Sequence, residues 1–212
     1  MKNVFLLIIL LALCSSIYGR QGRAPQEQKS LTLAAEITGQ RYCEGAGGVD
    51  FLHLRIRLRF TNVGNQKLIL YKGNNLFFSV WLKPEQDATA RFEMKTTASR
   101  FLKMTPEAVD TKTPNRDFVF LSPQESFETI INVSLPIARE EARRSRGSIT
   151  NGAHLLQISA STWYESRKLG EQLRERWQRK GFLWLDPLGS MPIRLNSEKP
   201  DSVMHCPATL NS

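Results

Sequence analysis

One strictly alternating segment constrains the fold of this chain more than any other feature. The apolar residues Leu52, Leu54, Ile56, Leu58 and Phe60 alternate with the polar or charged residues His53, Arg55, Arg57, Arg59 and Thr61. Successive side chains of a β-strand point to opposite faces of the sheet, so a period of two is typical of a half-buried strand. The segment therefore predicts a strand with one packed face and one cationic face.

Short apolar segments separated by turn residues predict further strands along the whole chain. They cover residues 31–37, 68–71, 76–82, 91–95, 118–121, 127–135, 154–163, 182–185 and 191–195. Helical periodicity occurs at residues 166–180, where Leu169, Leu173 and Trp177 recur four residues apart and Gly181 follows as a stop signal. The expected fold is all-β, a β-sandwich with one helical insertion before its last strand.

The N-terminal residues predict export. Residues 1–19 have the features of a secretory signal peptide: Lys2, an uncharged apolar run over residues 4–13, and small residues towards the end. The run is too short for a membrane-spanning helix, and we expect none in the mature chain. We expect a signal peptide at 1–19, a polar linker at 20–29, a β-sandwich domain at 30–196 and a polar tail at 197–212. The predicted location is periplasmic or secreted.

The three cysteines fit an oxidising compartment. Cys14 lies in the predicted signal peptide, and attachment of a lipid there is the less favoured alternative because Leu13, directly before it, is not small. Cys43 and Cys206 remain in the mature chain. They form either one disulfide or two free or intermolecular thiols. No CxxC pair occurs, so a zinc or redox site is not predicted.

Three local motifs resemble those of bacterial secreted immunoglobulin-like domains. Residues 62–70 are similar to the turn between the second and third strands of such domains, through Asn62, Gly64, Leu68, Ile69 and Leu70. Residues 121–127 are similar to a Leu-x-Pro-Gly-x-Ser strand entry, with Gln124 in place of glycine. Residues 152–158 resemble a Gly-x-Tyr-x-Leu-x-Val strand, with His154 in place of tyrosine. The resemblance implies an immunoglobulin-like antiparallel β-sandwich and carries no activity with it.

Catalytic motifs are weak in this sequence. Gly189 and Ser190 begin a nucleophile-like turn that lacks its second glycine, and the three histidines are isolated from one another. No glycine-rich phosphate loop precedes a helix. We expect no catalytic residue, metal or cofactor. The alternative is a secreted hydrolase with a site near the polar loop at 96–115, which would need a histidine beside a nucleophile.

Two groups of cationic residues are the candidate binding surfaces. The first is His53, Arg55, Arg57 and Arg59 on the alternating strand, and the second is Arg167, Lys168, Arg174, Arg176 and Arg179 on the predicted helix. On the strand, the spacing of roughly 6–7 Å suits a polyanion. The favoured alternative is a solvated sheet face whose guanidinium groups pair with acids on neighbouring strands. The helix is either an ordinary exposed helix or, with Trp177, a surface that docks a partner.

The chain is basic overall, with 29 Lys+Arg against 20 Asp+Glu and a formal net charge of +9. We therefore expect an exported, non-catalytic binding or structural module of the cell envelope or extracellular space. Its expected partner is an envelope protein, or an anionic envelope polymer or lipid headgroup whose binding would weaken with salt. A specific nucleic acid is not expected. The three tryptophans Trp163, Trp177 and Trp184 are expected to pack between helix and sheet, with carbohydrate stacking as the alternative.

Overall fold

The computed structural model describes residues 30–45, 49–72, 77–99, 112–114, 116–138, 149–163 and 166–206, without the side chains of 96–99. Within them the chain forms twelve strands and one helix. The first seven strands are β1 (Leu31–Glu44), β2 (Val49–Asn62), β3 (Leu68–Tyr71), β4 (Phe77–Pro84), β5 (Glu93–Ser99), β6 (Phe118–Leu121) and β7 (Ser126–Ala138). There follow β8 (Ala153–Ser161), α1 (Arg167–Trp177), β9 (Phe182–Leu183), β10 (Leu188–Gly189), β11 (Ile193–Asn196) and β12 (Met204–His205).

Some sequence predictions fall outside these residues. The predicted signal peptide and linker over 1–29 do so entirely. So does most of the predicted loop at 96–115, although its first four residues belong to β5 and pair with β4. None of the helical residues described forms a helix long and apolar enough to cross a membrane.

The first sheet has the strand order β12-β1-β2-β7, with long antiparallel pairings of β2 to β1 and β7. Every second residue of β2 is buried, as the alternation predicted. β1 is longer than the predicted strand at 31–37, because a bulge between Ile37 and Gly39 lets it continue to Glu44. β7 likewise continues through Pro136, which ends the predicted strand. Proline is tolerated there because β7 is the outer strand of this sheet among the described residues.

Two smaller sheets complete the fold. The second has the order β10-β8-β4-β5, with β11 also paired to β8, and the third has the order β6-β3-β9. One apolar cluster joins all three sheets, with Ile56 from β2, Leu70 from β3, Val80 from β4 and Ile158 from β8 among its buried members. The predicted all-β class is confirmed, with one helix outside the sheets.

The helix α1 forms where the 166–180 periodicity predicted it. The Ser166 side chain accepts a hydrogen bond from the Leu169 backbone N–H, which caps the N-terminus. Leu173 and Trp177 are buried in a second apolar cluster, where Trp177 meets the Phe118 ring edge-on at 5.0 Å. Packing of Trp177 in the interior is confirmed, and its use as a docking residue is wrong because its side chain is 1% exposed. Trp163 and Trp184 are also buried.

The C-terminal segment returns to the first sheet. β12 pairs in parallel with the end of β1, and Cys206 forms a disulfide with Cys43 across a Cα–Cα distance of 5.0 Å. Of the two cysteine arrangements, the single disulfide is therefore the one present. It closes a loop spanning 163 residues, so on the chain-entropy model it stabilises the fold by about 5 kcal/mol.

Candidate binding surfaces

The outer face of the first sheet has the arginines of β2 as its central row. Arg57 lies opposite Glu36 of β1, with Nη1 3.4 Å from the carboxylate, and Arg59 lies opposite Glu128 of β7, with Nε 2.5 Å from it. All four side chains are partly exposed to solvent. These cross-strand pairs neutralise the half of the face nearest to the β2–β3 turn, and such exposed pairs are each worth about 0.2–1 kcal/mol.

The half of this face farther from the β2–β3 turn differs because its arginines are not paired with acids of the described residues. After the bulge in β1, Gly39 lies opposite Arg55 and Arg41 lies opposite His53, so the side chains of Arg41 and Arg55 share this face. Neither arginine has a carboxylate partner among the described residues. Arg41 was not among the predicted residues because the predicted strand ended at residue 37, and because the bulge reverses which residues of β1 point outward.

His53 takes up a proton less readily than an ordinary histidine. Partial burial, and secondly the charge of Arg41, lower the pKa of His53 from its ordinary value of 6.5. Its ring stacks on Phe51 at 6.3 Å, and its Nε2 lies 3.3 Å from Cys43 Sγ. Of the arginines in the predicted patch, only Arg55 is without a carboxylate partner among the described residues, and Arg41, which was not predicted, lies beside it on this half of the face.

On the helix, two of the predicted cations are used within the fold. Arg167 bonds Glu171 at 2.7 Å and Asp186 at 2.5 Å, and the hydrogen bond to Asp186 is the main cause of a raised pKa of Arg167. Arg174 donates to the Leu183 carbonyl and to Glu171, and its guanidinium lies 4.3 Å from the centre of the Phe182 ring. Its Nη2 is buried without a hydrogen-bond partner. The predicted helix residues Lys168, Arg176 and Arg179 are exposed.

A groove of about 700 Å³ lies between the C-terminal half of α1 and the β2–β3 turn. Its floor includes Gly181 and Phe182, and the Phe182 backbone N–H donates to the Lys67 carbonyl at 2.8 Å. Gly181 has a φ of 155°, and a Cβ there would lie 2.9 Å from that same carbonyl oxygen. Glycine is thus required where the chain leaves the helix close to the turn.

The walls of this groove have more positive than negative charge. Lys67, Arg179 and Lys180 line it, and among the described residues none of the three has a carboxylate partner. The Lys67 ammonium lies 4.7 Å from the centre of the Phe120 ring. Glu171 is already paired with two arginines, whereas Glu175 has no cationic partner among the described residues.

The groove was not predicted as a site, although Arg174 and Arg179 were among the candidate helix residues. Lys67 reaches it from a turn far away in sequence, through the parallel pairing of β3 with β9. Gln66 and Gln178 also line it and add amide groups that donate and accept hydrogen bonds.

A third region surrounds His154, whose side chain lines a smaller cavity of about 310 Å³ together with Lys95 and Asp87. His154 Nδ1 is 3.1 Å from the Gly152 carbonyl oxygen and 3.4 Å from Ser197 Oγ. The Ser197 hydroxyl is fully buried and lies within hydrogen-bond distance of two backbone carbonyls. This histidine and serine attach the start of the C-terminal segment to β8.

Ser190, in the nucleophile-like turn, is also buried. Its Oγ accepts a hydrogen bond from the Ile158 backbone N–H and donates to the Met191 carbonyl, each at 3.0 Å. The side chain thereby holds the β10–β11 connection against β8, and it makes these contacts without a histidine.

Comparison with known proteins gives no family for this chain. No family model matches it, and no curated protein matches it. An X-ray structure of a Northeast Structural Genomics Consortium target is similar at 10% identity over 87% of this chain and 92% of the other, with a TM-score of 0.36. A crystal structure described as that of an ApaA protein from Bordetella pertussis is 12% identical over 81% and 95%, with a TM-score of 0.31.

A β-glucosidase from Listeria innocua, crystallised with glucose, is 10% identical over 76% of this chain but only 16% of its own, with a TM-score of 0.22. At these TM-scores, none of the three structures defines the fold or the function of this chain.

Proposed function

We propose that this chain is an exported, non-catalytic binding module that holds an acidic segment of a partner protein in the groove beside α1. The observation that carries the proposal is a concave surface with three cations, Lys67, Arg179 and Lys180, that lack carboxylate partners among the described residues. The scaffold we propose is an immunoglobulin-like β-sandwich with a helical insertion. The shared core of the three sheets and the position of α1 between β8 and β9 support it.

Export is part of the same proposal. The signal-like residues 1–19 support it, and so does the disulfide between Cys43 and Cys206, because disulfides persist mainly in oxidising compartments. We propose a periplasmic or secreted location, and an envelope protein as the partner.

The groove offers a ligand more than the paired half of the sheet face does. A groove of this size lets a ligand contact several side chains at once. Arg57 and Arg59 on the sheet are less suited to bind a ligand, since their charges are already paired.

The mixed chemistry of the walls favours a peptide over a uniform polyanion. Glu175 lies in the groove among the cations and would repel a ligand with a negative charge at every unit. A peptide segment that places carboxylates near Lys67 and Arg179 and an uncharged residue near Glu175 avoids this repulsion. Its backbone amides would find partners in the side chains of Gln66 and Gln178.

The test compares two variants with equal loss of charge. A fluorescein-labelled peptide of alternating glutamate and serine is titrated with the wild type, with an Arg179→Gln/Lys180→Gln variant and with an Arg57→Gln/Arg59→Gln variant, followed by fluorescence anisotropy. We expect the groove variant to bind roughly tenfold more weakly, which is about 1.4 kcal/mol. The sheet variant should bind like the wild type.

Equal weakening in both variants would contradict the proposal, because it would show that the peptide responds only to net charge. Binding that survives unchanged in the groove variant would contradict it as well. Circular dichroism and urea unfolding of each variant establish that the comparison is between folded proteins.

The unpaired half of the sheet face supports a second candidate function. Arg41 and Arg55 lie beside each other on a flat face without carboxylate partners among the described residues, which suits the headgroups of an anionic membrane surface. Sedimentation with phosphatidylglycerol vesicles tests it. If this function is real, an Arg41→Gln/Arg55→Gln variant should lose sedimentation that the Arg57→Gln/Arg59→Gln variant keeps, and salt should abolish it. Equal sedimentation of the two variants would exclude this candidate.

A further inference from the structure

Two sulfur atoms and one imidazole nitrogen meet at the end of the first sheet. The Sγ atoms of Cys43 and Cys206 and a ring nitrogen of His53 all lie within 4.8 Å of one another. His53 Nε2 is the nitrogen that lies 3.3 Å from Cys43 Sγ. Two thiolates and an imidazole are a ligand set that zinc prefers, so the disulfide lies where the protein also has the groups of a metal site.

We infer that the reduced, dithiol form of this protein binds one zinc ion through Cys43, Cys206 and His53. The backbone fixes two of the three ligands. Cys43 on β1 lies opposite Phe51, and His53 follows two residues later on β2, so both side chains point to the same face of the sheet. Neither ligand needs a backbone change to reach a common metal.

The third ligand comes from a segment with more freedom to adjust. Cys206 directly follows the two-residue strand β12, and its backbone N–H donates to the Glu44 carbonyl at 3.0 Å. Two sulfurs bound to zinc, each at about 2.3 Å from the metal, lie farther apart than two sulfurs bonded to each other. A small shift of this short segment provides the difference.

Two steps convert the disulfide into a zinc site. The disulfide is first reduced to two thiols, and zinc then replaces the two thiol protons. A thiol or phosphine reductant supplies two electrons, the S–S bond breaks, and each sulfur takes up one proton. Zinc then displaces both thiol protons, which are released to water, and the two thiolate charges balance the charge of the ion. With three protein ligands, the fourth position of a tetrahedral zinc remains open to water or to a ligand.

Zinc at this site would keep the C-terminal segment attached to β1 after the disulfide is reduced. The disulfide connects the C-terminal segment to β1, and the zinc ion would connect the same residues once the disulfide is broken. The open fourth position also distinguishes this site from a closed structural zinc site, in which the protein supplies all four ligands.

The test uses the full chain. The protein is reduced with a phosphine, freed of reductant without oxygen, and titrated with Zn²⁺ in competition with a chromophoric chelator. We expect one zinc per chain in the reduced form and no comparable site in the oxidised form. A His53→Gln variant should bind zinc more than about tenfold more weakly. Mg²⁺, a hard cation, should not compete.

The matched control is His205→Gln, since His205 neighbours Cys206 but its side chain is 90% exposed and directed towards Glu44. We expect this variant to bind zinc like the wild type. Equal affinities of the His53→Gln and His205→Gln variants would overturn the inference, and a reduced chain that had simply unfolded would give that result. A reduced wild type that takes up no more zinc than the oxidised protein would overturn it too.

Discussion

The two cationic regions of this protein look alike in sequence but differ in how the fold uses their charge. On the sheet face, Arg57 and Arg59 each lie opposite an acid of a neighbouring strand, and the pairs lie across the sheet. In the groove, Lys67 comes from a turn, Arg179 and Lys180 follow the end of α1, and none of the three has a carboxylate partner among the described residues. Availability of charge therefore depends on register and topology, not on the number of basic residues.

The same contrast occurs within each region. The N-terminal half of α1 has Glu171 to pair with Arg167 and Arg174, whereas Arg179 and Lys180 form no ion pair within the described part of the chain, although Glu175 lines the same groove. On the sheet, the bulge in β1 separates the paired half from the half that contains Arg41 and Arg55. One extra residue in a strand is enough to change which side chains share a face.

The largest expected effect is a loss of stability when the packing of α1, which borders the groove, is disrupted. Trp177→Ala should lower the free energy of unfolding by about 3–5 kcal/mol, because it removes a buried ring from the second apolar cluster. It should also weaken binding in the groove, which α1 borders. Urea unfolding measures the change, and Met191→Ala serves as the control because Met191 is exposed. A loss below about 1 kcal/mol would mean that this cluster does not hold the helix.

The next effect compares one glycine from each region. Gly181→Ala should cost about 1–3 kcal/mol, because the residue has a positive φ and its Cβ would press on the Lys67 carbonyl below the groove. Gly39→Ala on the sheet face should cost less, since its Cβ would make an ordinary contact of 3.5 Å with Arg55. Thermal or urea unfolding of both variants measures the difference. Equal costs would contradict this description of the groove floor.

A smaller effect concerns the two halves of the sheet face. Arg57→Gln/Arg59→Gln removes two ion pairs and should destabilise the protein by roughly 0.4–2 kcal/mol in total. Arg41→Gln/Arg55→Gln removes the same charge without breaking a pair, so unfolding should be unchanged or shifted slightly towards greater stability. Urea unfolding of the two variants measures the difference in stability. Greater destabilisation by Arg41→Gln/Arg55→Gln than by Arg57→Gln/Arg59→Gln would contradict the assignment of the ion pairs to Arg57 and Arg59.

The smallest effect is a change in the titration of His53. The Arg41→Gln variant should raise the pKa of His53 towards 6.5, but not fully, because burial is the larger cause of its lowered pKa. NMR titration of the ring protons measures it. An unchanged pKa would show that Arg41 does not act on this ring.

The same shift predicts how stability depends on pH. Below about pH 6.5 the unfolded chain takes up a proton at His53 that the folded chain resists. Stability should therefore fall as the pH drops from that value towards the folded pKa, and should level off below it. The fall should be smaller in the Arg41→Gln variant.

Much of the fold follows from local patterns. The alternation in β2 predicted its buried face, and the predicted limits of β3 and β6 agree with those observed. The helix was predicted because its apolar spacing and the glycine that follows it are both local signals. Such elements are determined by residues a few positions apart, which sequence reasoning can assess.

The features that were not predicted from the sequence depend on contacts between residues far apart in the chain. The predicted strand at 31–37 ended before Gly39, although pairing with β2 continues β1 as a strand beyond it. Pro136 resembled a stop, although an outer strand accommodates it. The groove required the parallel pairing of β3 with β9, and the meeting of Cys43, His53 and Cys206 required the return of the C-terminal segment. No short-range pattern encodes these placements.

The most direct test of the central claim is to observe where the acidic peptide binds. Two-dimensional amide NMR spectra of the isotope-labelled protein are recorded with increasing amounts of the glutamate–serine peptide. The account predicts that the resonances of Gln66, Lys67, Gly181 and Phe182 shift first and saturate together. Shifts confined to Arg41, His53 and Arg55, or spread evenly over both cationic regions, would contradict it.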